Sequence, residues 1–247
     1  FGVGSSVTIN QNRITIDPTS DLDASETYHI SYPSGAFTNT HGDVSYVGTA
    51  YTFGTRVYDY QLWTWGAGDP DNRGMTGTGN ASTSSPVQLP GSWTKIIGGT
   101  MGGVWAIKND GTLWAWGANY NGSLGLNQSY PALNYSTSPQ QIPGTTWSSL
   151  SEGYGGSQTP KALKTDGTLW SWGYNYYGSL GHNDKINYSP IQIPGTTWGG
   201  SVAVGGYTGF ATKTNGTLWA WGDNENGELG LNNRTQYSSP VQIPGTT

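Results

Sequence analysis

The chain has 247 residues, a formal net charge of −5 at pH 7 and 10% charged residues, set against 39 glycines, 12 tryptophans and 16 tyrosines. That length can bury a substantial core, and disordered segments are poor in aromatics, so the composition describes a folded chain of short strands and tight turns. It has no cysteine, so disulfides and thiolate metal sites are excluded; no apolar run is long enough for a membrane-spanning helix, so membrane insertion is not expected.

Residues 1–60 carry six acids against two bases, and residues 61–247 carry nine against eight. Such a balance leaves no basic footprint for nucleic acid. The chain starts with Phe1 and shows no signal peptide, which reads as a processed, trimmed or partial chain.

Residues 1–56 lack the words that recur later. Ser6–Ile9 and Arg13–Ile16 alternate around Asn10-Gln11-Asn12 and predict a hairpin. Tyr28–Tyr32 and Ala50–Phe53 alternate again. The phrases Ile-Asp-Pro-Thr-Ser-Asp-Leu (16–22), Thr-Tyr-His-Ile (27–30), Gly-Ala-Phe (35–37) and Tyr-Thr-Phe-Gly-Thr (51–55) resemble bacterial Ig-like domains. Such a sandwich takes about seven strands and about 100 residues, so the resemblance implies its C-terminal half. The acids Asp17, Asp21, Asp23 and Glu26 match no standard calcium loop and read as a solvated turn.

From residue 57 onward the sequence repeats. Leu-Trp-x-Trp-Gly occurs at Leu62–Gly66, Leu113–Gly117, Leu169–Gly173 and Leu218–Gly222. Ser-Pro-x-Gln-(Ile/Leu)-Pro-Gly follows at Ser85–Gly91, Ser138–Gly144, Ser189–Gly195 and Ser239–Gly245, and a third marker at Trp93, Trp147 and Trp198. Two tryptophans spaced by two face one side of a strand. The preceding Asp-Gly or Asn-Gly (Asp110-Gly111, Asp166-Gly167, Asn215-Gly216) predicts a hairpin turn with both central residues at positive φ. Asn-x-x-Gly-x-Leu-Gly (119–125, 175–181, 224–230) is turn chemistry, and Ser-Pro-x-Gln-Ile-Pro suits a strand at a sheet edge.

Each period of about 50 residues thus encodes about four short strands and no helix, the pattern of a β-propeller blade. The fold class expected is all-β. Trp63, Trp65, Trp114, Trp116, Trp170, Trp172, Trp219 and Trp221 are expected to pack blade against blade, each ring burying roughly 150–250 Å².

The combination Asp-Gly-Thr-Leu-Trp-x-Trp-Gly-x-Asn-x-x-Gly-x-Leu-Gly, then Ser-Pro-x-Gln-Ile-Pro, resembles the RCC1-like repeat over residues 57–247, in the wording of its prokaryotic and phage branch. The resemblance implies blades of a seven-bladed ring, with units at about 57–112, 113–168, 169–217 and 218–247. The first unit is degenerate: Gly-Asp-Pro-Asp-Asn-Arg-Gly-Met-Thr-Gly (68–77) replaces the regular turn. The fourth stops before its Trp marker, so the chain reads as a segment of a longer modular protein whose ring is incomplete here.

Catalytic chemistry finds no constellation. The three histidines, His29, His41 and His182, make no pair at zinc-ligand spacing, and the glycine-rich stretches lack the lysine and helix of a phosphate loop. Asp110 and Asp166 give way to Asn215 in the next copy, which suits a backbone role. No enzyme, metal or cofactor is expected.

Binding has more support. Tyr130 and Tyr135 lie in the longest inter-strand segment, and Tyr174, Tyr176 and Tyr177 stand where the fourth copy has Asp223, Glu225 and Asn226. Tyr with Asn, Ser and Gly on loops suits adaptable recognition, or stacking on sugar rings.

The expected function is a structural and recognition protein at the surface of a phage virion, in a tail or neck fibre. Its partners would be other virion proteins, further copies of itself, and a host-surface glycan or protein. A bacterial secreted or surface adhesin and a protein-binding inhibitor propeller, as in one bacterial relative that blocks a β-lactamase, are the alternatives. Nucleotide exchange on a small GTPase, implied by the eukaryotic member, sits poorly with the near-neutral repeats.

Overall fold

A computed structural model describes residues 60–68, 74–79, 82–99, 102–129, 131–151, 159–183 and 186–245, with Gly200 as backbone only, and the backbone of four strands nearer the N-terminus. The chain divides into two compact units, Phe1–Tyr58 and Asp59–Thr247.

In the first unit β1 (Val7–Asn10) pairs antiparallel with β2 (Arg13–Ile16), Val7 opposite Ile16. β3 (Thr27–Ile30) pairs with β4 (Tyr51–Gly54), Tyr28 opposite Phe53. The Ig-like half-sandwich expected over 1–56 is represented among the described residues by these two strand pairs alone. Asp17, Asp21, Asp23 and Glu26 lie outside the described residues.

The second unit is a succession of antiparallel sheets whose spatial order is their chain order. β5 (Gln61–Gly66) pairs with the first part of the long β6 (Thr83–Gly98), Leu62 opposite Leu89. From Trp93 onward β6 belongs to the next blade, pairing with β7 (Gly103–Lys108), which is followed by β8 (Leu113–Ala118) and β9 (Tyr135–Ile142). The third blade is β10 (Trp147–Leu150), β11 (Lys161–Lys164), β12 (Leu169–Gly173) and β13 (Asn187–Gln192). The fourth is β14 (Trp198–Gly205), β15 (Thr208–Lys213), β16 (Leu218–Gly222) and β17 (Tyr237–Gln242). A repeat counted from Leu-Trp-x-Trp-Gly therefore holds the last two strands of one blade and the first two of the next.

The Asp-Gly hairpins depart from the turn expected of them. Only the glycines, Gly111, Gly167 and Gly216, have positive φ (75°, 76° and 85°). Gly111 N–H donates to Lys108 O at 3.0 Å and Lys108 N–H to Thr112 O at 2.9 Å, a turn closed by a glycine bulge. The acid keeps negative φ because its carboxylate is engaged: Asp110 Oδ1 accepts from Thr112 N–H at 2.9 Å and from Thr112 Oγ1 at 2.6 Å. Thr112 Oγ1 in turn accepts from Trp114 Nε1 at 2.8 Å, and the same relay runs through Asp166-Thr168-Trp170 and Asn215-Thr217-Trp219.

Where blades meet, the second tryptophan of Leu-Trp-x-Trp-Gly is the central element. Trp116, Trp172 and Trp221 are almost wholly buried, and each indole N–H crosses to the turn of the preceding blade. Trp116 Nε1 donates to Met75 O at 3.0 Å, Trp172 Nε1 to Ser123 O at 2.8 Å, and Trp221 Nε1 to Ser179 O at 3.0 Å. Two residues beyond each acceptor stands a glycine pressed against the same indole. A Cβ on Gly77, Gly125 or Gly181 would sit 2.9, 2.8 or 2.7 Å from that nitrogen.

The degenerate first unit thus keeps the geometry, with Gly74-Met75-Thr76-Gly77 standing where Gly-Ser-Leu-Gly stands later. Trp63 and Trp65 depart from the packing expected of them. They are 47% and 63% exposed, because among the described residues their blade has only β5 and the first part of β6, with no earlier blade packed against it.

The first tryptophans, Trp114, Trp170 and Trp219, are half-buried at the other end of each sheet. Trp147 meets Trp170 and Trp172 edge-on at 6.0 and 6.4 Å, and Trp198 meets Trp219 and Trp221 at 6.0 and 6.3 Å, as rings on one face should. A lysine caps each set: Lys108 Nζ lies 4.0 Å from the Trp114 ring centre, Lys164 Nζ 4.4 Å from Trp170, and Lys213 Nζ 4.2 Å from Trp219.

Two alanine substitutions separate backbone strain from indole contact. Gly125→Ala faces both a φ of +74° and the 2.8 Å approach to Trp172, whereas Gly230→Ala faces a φ of +66° with nothing within 4 Å. Urea denaturation should show a loss of about 1 kcal/mol for Gly230→Ala and about 3 kcal/mol for Gly125→Ala. Equal losses would show that the indole yields freely.

Candidate functional site

At the sheet end opposite the lysine–tryptophan sets lie the hairpin joining the first two strands of a blade and the loop joining its last two. In the fourth blade β14 runs from Trp198 to Gly205 and β15 returns from Thr208 to Lys213, so Tyr207 stands at the far end from Lys213. Gly222 lets this hairpin cross the end of β16. A Cβ there would lie 2.2 Å from Tyr207 O, and the next residue, Asp223, donates its N–H to that oxygen at 3.2 Å.

The asparagine of Asn-x-x-Gly-x-Leu-Gly, buried in the fourth blade (Asn224) and half-buried in the third (Asn175), organises the loop. Asn224 Oδ1 accepts from Leu229 N–H at 3.0 Å, while Asn224 Nδ2 donates to Asn233 O and Thr235 O at 3.0 and 2.9 Å. Asn175 Oδ1 accepts from Leu180 N–H at 2.9 Å in the third blade. These bonds hold the loop's backbone; of the residues beside the asparagines, Tyr176 and Glu225 are exposed and Tyr174 and Asp223 half-buried.

The side chains at those positions are tyrosines in the third blade. Tyr174 and Tyr176 are stacked at 5.9 Å, Tyr176 meets Tyr177 edge-on at 4.6 Å, and both Tyr177 and Tyr174 meet Tyr207 of the fourth blade, at 4.9 and 6.4 Å. The four contacts close a ring of rings across two blades. Tyr176 is 66% exposed and Tyr207 46%.

Of the sequence candidates, Tyr174, Tyr176 and Tyr177 are therefore brought together. Tyr135 is half-buried in β9 opposite Ala118, with no ring contact to the four among the described residues. Tyr130 lies outside the described residues. Tyr207 escaped the sequence reading because it stands in a hairpin where the second blade has Gly102, and no repeated word marks it.

Asp223 and Glu225 take, in the fourth blade, the places of Tyr174 and Tyr176 in the third. The Tyr177 phenol is raised above its ordinary range, first by desolvation among the packed neighbours and then by the Glu225 carboxylate. Asp223 Oδ1 accepts from Glu225 N–H and from Gln236 Nε2, each at 3.3 Å. Among the described residues no three acids or histidines converge as metal ligands. No helix there is long and apolar enough to cross a membrane, which says nothing of β-barrels.

The description "Regulator of chromosome condensation (RCC1) repeat" matches residues 110–152, 166–211 and 215–247, and a second form of it matches 201–228. These are RCC1 repeats. The ultraviolet-B receptor UVR8 of Arabidopsis thaliana is 31% identical over 131 residues, covering 51% of this chain and 28% of the receptor. The probable E3 ubiquitin-protein ligase HERC3 of Homo sapiens is 33% identical over 89 residues, covering 36% of this chain and 8% of the ligase. The chain spans under a third of the length of the curated relatives it matches.

Among solved structures, Prp20p of Saccharomyces cerevisiae, described with its binding properties to Gsp1p and histones, superposes with a TM-score of 0.61 at 21% identity, covering 75% of this chain and 46% of Prp20p. Human WBSCR16 gives 0.57 at 19%, covering 94% and 55%. At these identities the likeness establishes the fold: an all-β arrangement of RCC1-like propeller blades.

One titratable group inside the RCC1 repeats was not foreseen. Lys161 of β11 takes the place that Trp105 has in β7, facing the next blade, and is fully buried. Its Nζ donates to Thr159 O at 3.4 Å and lies 5.8 Å from the Trp221 ring centre. Burial pushes the amine down from 10.5 to about 7. With no surface open to a substrate, this lysine is a packing residue.

Its folded pKa lies below its unfolded one, so the unfolded chain holds the proton more tightly between about pH 7 and 10.5. Stability should rise across that window and level off below it. In Lys161→Met the rise should vanish, and at pH 7 the variant should be more stable by a few kcal/mol, on the order of the desolvation involved, as read from urea midpoints at pH 7 and 9.5. A rise that persists in the variant would assign it to another group.

Proposed function

We propose that this chain is a non-enzymatic recognition segment, an RCC1-repeat scaffold that binds a protein partner through the loop end carrying Tyr174, Tyr176, Tyr177 and Tyr207. The closed ring of four tyrosine contacts across two blades carries this reading, because exposed aromatics on rigid loops offer contact area at little entropic cost. UVR8, a receptor, and Prp20p, characterised for its binding to Gsp1p and histones, are repeat proteins of this kind with binding roles. HERC3 is named a ligase, but its match spans 8% of that protein.

The finer reading places the chain at the surface of a phage virion, as part of a tail or neck fibre. It rests on the pairing of a segment resembling an Ig-like domain with repeats in the phage-type wording (Ser-Pro-x-Gln-Ile-Pro-Gly-Thr-Thr-Trp), with no cysteine and no catalytic constellation in the sequence. Immunogold labelling of particles from the source sample would test it, and label found only on bacterial cell envelopes would transfer the chain to the adhesin class.

Binding itself is testable without a known partner. Panning a random peptide library on the folded chain should enrich peptides that fail to bind a Tyr176→Ser/Tyr207→Ser double variant. Enrichment that ignores those substitutions, or binding confined to a glycan array, would overturn protein recognition at this end.

A further inference from the structure

The two ends of the third and fourth blades differ in charge. At the tryptophan end, Lys164 and Lys213 lie over indole rings, and Asp166 sits in the adjoining turn. At the tyrosine end the loop of the fourth blade brings Asp223, Glu225 and Glu228, with Arg234 further along the same loop. Glu228 is occupied locally, accepting from Asn226 N–H at 2.9 Å and from Asn226 Nδ2 at 3.0 Å. The Glu225 carboxylate accepts no hydrogen bond from any described residue.

The four tyrosines are packed on one another, with centroid separations of 4.6–6.4 Å, so they enclose no hollow that could cage a spherical ammonium. What they present is outward ring surface, mostly from Tyr176 and Tyr207, and the adjoining loop brings acid to it: Asp223 N–H donates to Tyr207 O at 3.2 Å, Glu225 N–H donates to Asp223 Oδ1, and the Glu225 carboxylate acts on the Tyr177 phenol. A planar, weakly hydrated cation suits such a platform: it can lie on a ring face and donate a fork of N–H groups sideways to a carboxylate. A strongly hydrated lysine ammonium fits less well, and a neutral sugar leaves the carboxylate unused.

We infer that the Tyr174–Tyr176–Tyr177–Tyr207 platform with Glu225 beside it receives an arginine side chain from the protein partner, the guanidinium stacking on the tyrosines and pairing with the carboxylate. This assignment rests on the protein-binding reading above and names what that surface selects. The platform spans two blades, so both must be present for it to exist.

The test uses fluorescein-labelled Gly/Ser peptides that carry two arginines, two lysines or two citrullines at the same positions, read by fluorescence anisotropy with the full chain. The arginine peptide should bind about tenfold tighter than the citrulline peptide and several-fold tighter than the lysine peptide. Raising salt from 50 to 300 mM should weaken it. Tyr207→Ala and Glu225→Gln, both at exposed positions, should each reduce affinity by about fivefold or more, while Lys213→Gln, at the other end of the blade, should leave it unchanged.

Equal binding of the arginine and citrulline peptides, or indifference to Glu225→Gln, would overturn the assignment. Tyrosine-dependent but non-basic peptides emerging from the panning experiment would do so too, while leaving protein recognition standing. Loss of all tyrosine-dependent peptide binding would remove both.

Discussion

The blades depend on one hydrogen bond repeated three times: an indole N–H that leaves its own sheet and finds a carbonyl in the turn of the sheet before it. Tryptophan is the one side chain that brings both a very large apolar ring and a fixed donor to such a place. The ring supplies the buried area between blades, and the donor sets how far one blade can slide over the next. The acceptor is a main-chain oxygen, so its side chain is free to change, and Met75, Ser123 and Ser179 serve alike. What cannot change is the glycine two residues on, which leaves room for the ring.

From that constraint follows a division of labour between the two ends of each blade. At one end everything is held: lysine over tryptophan, aspartate or asparagine bonded to threonine, threonine to indole. At the other end the asparagine and the crossing glycine hold the backbone, and the side chains flanking the asparagine vary. Ala118, Tyr174 and Asp223 occupy equivalent places, as do Tyr120, Tyr176 and Glu225. A frame that fixes main chain and frees side chains is the arrangement that lets repeats diversify in recognition while keeping their fold.

Much of this is written in the sequence, because blade packing repeats and repetition is visible. The spacing of Leu-Trp-x-Trp-Gly and Ser-Pro-x-Gln-Ile-Pro shows the number and type of strands. Other features are not legible for physical reasons. The hairpin turns look like Asn-Gly and Asp-Gly turns with two left-handed residues, but the Thr112 hydroxyl and amide draw the Asp110 carboxylate into a different turn. The first unit reads as degenerate because Met75 and Thr76 replace Ser and Leu, yet a carbonyl and two glycines suffice. Tyr207 is hidden because it is 30 and 33 residues from Tyr177 and Tyr174, which it touches, and only the stacking of consecutive blades makes them neighbours. Over residues 1–56 the alternation locates four short strands, and no repeated word extends the reading to a whole sheet.

The inter-blade bond and the tyrosine platform are parts of one arrangement. Trp221 donates to Ser179 O, in the loop that carries Tyr176 and Tyr177, and its ring fills the space against Gly209, where a Cβ would lie 2.4 Å away. Gly209 stands two residues after Tyr207. One indole thus fixes both sides of the platform, tying the loop of the third blade to the hairpin of the fourth. Lys161, which faces the same Trp221 ring, puts a poorly solvated amine where the preceding blade interface has Trp105. The interface beneath the platform is therefore the less apolar of the two, and the bond from Trp221 carries more of the burden of holding the tyrosines in register.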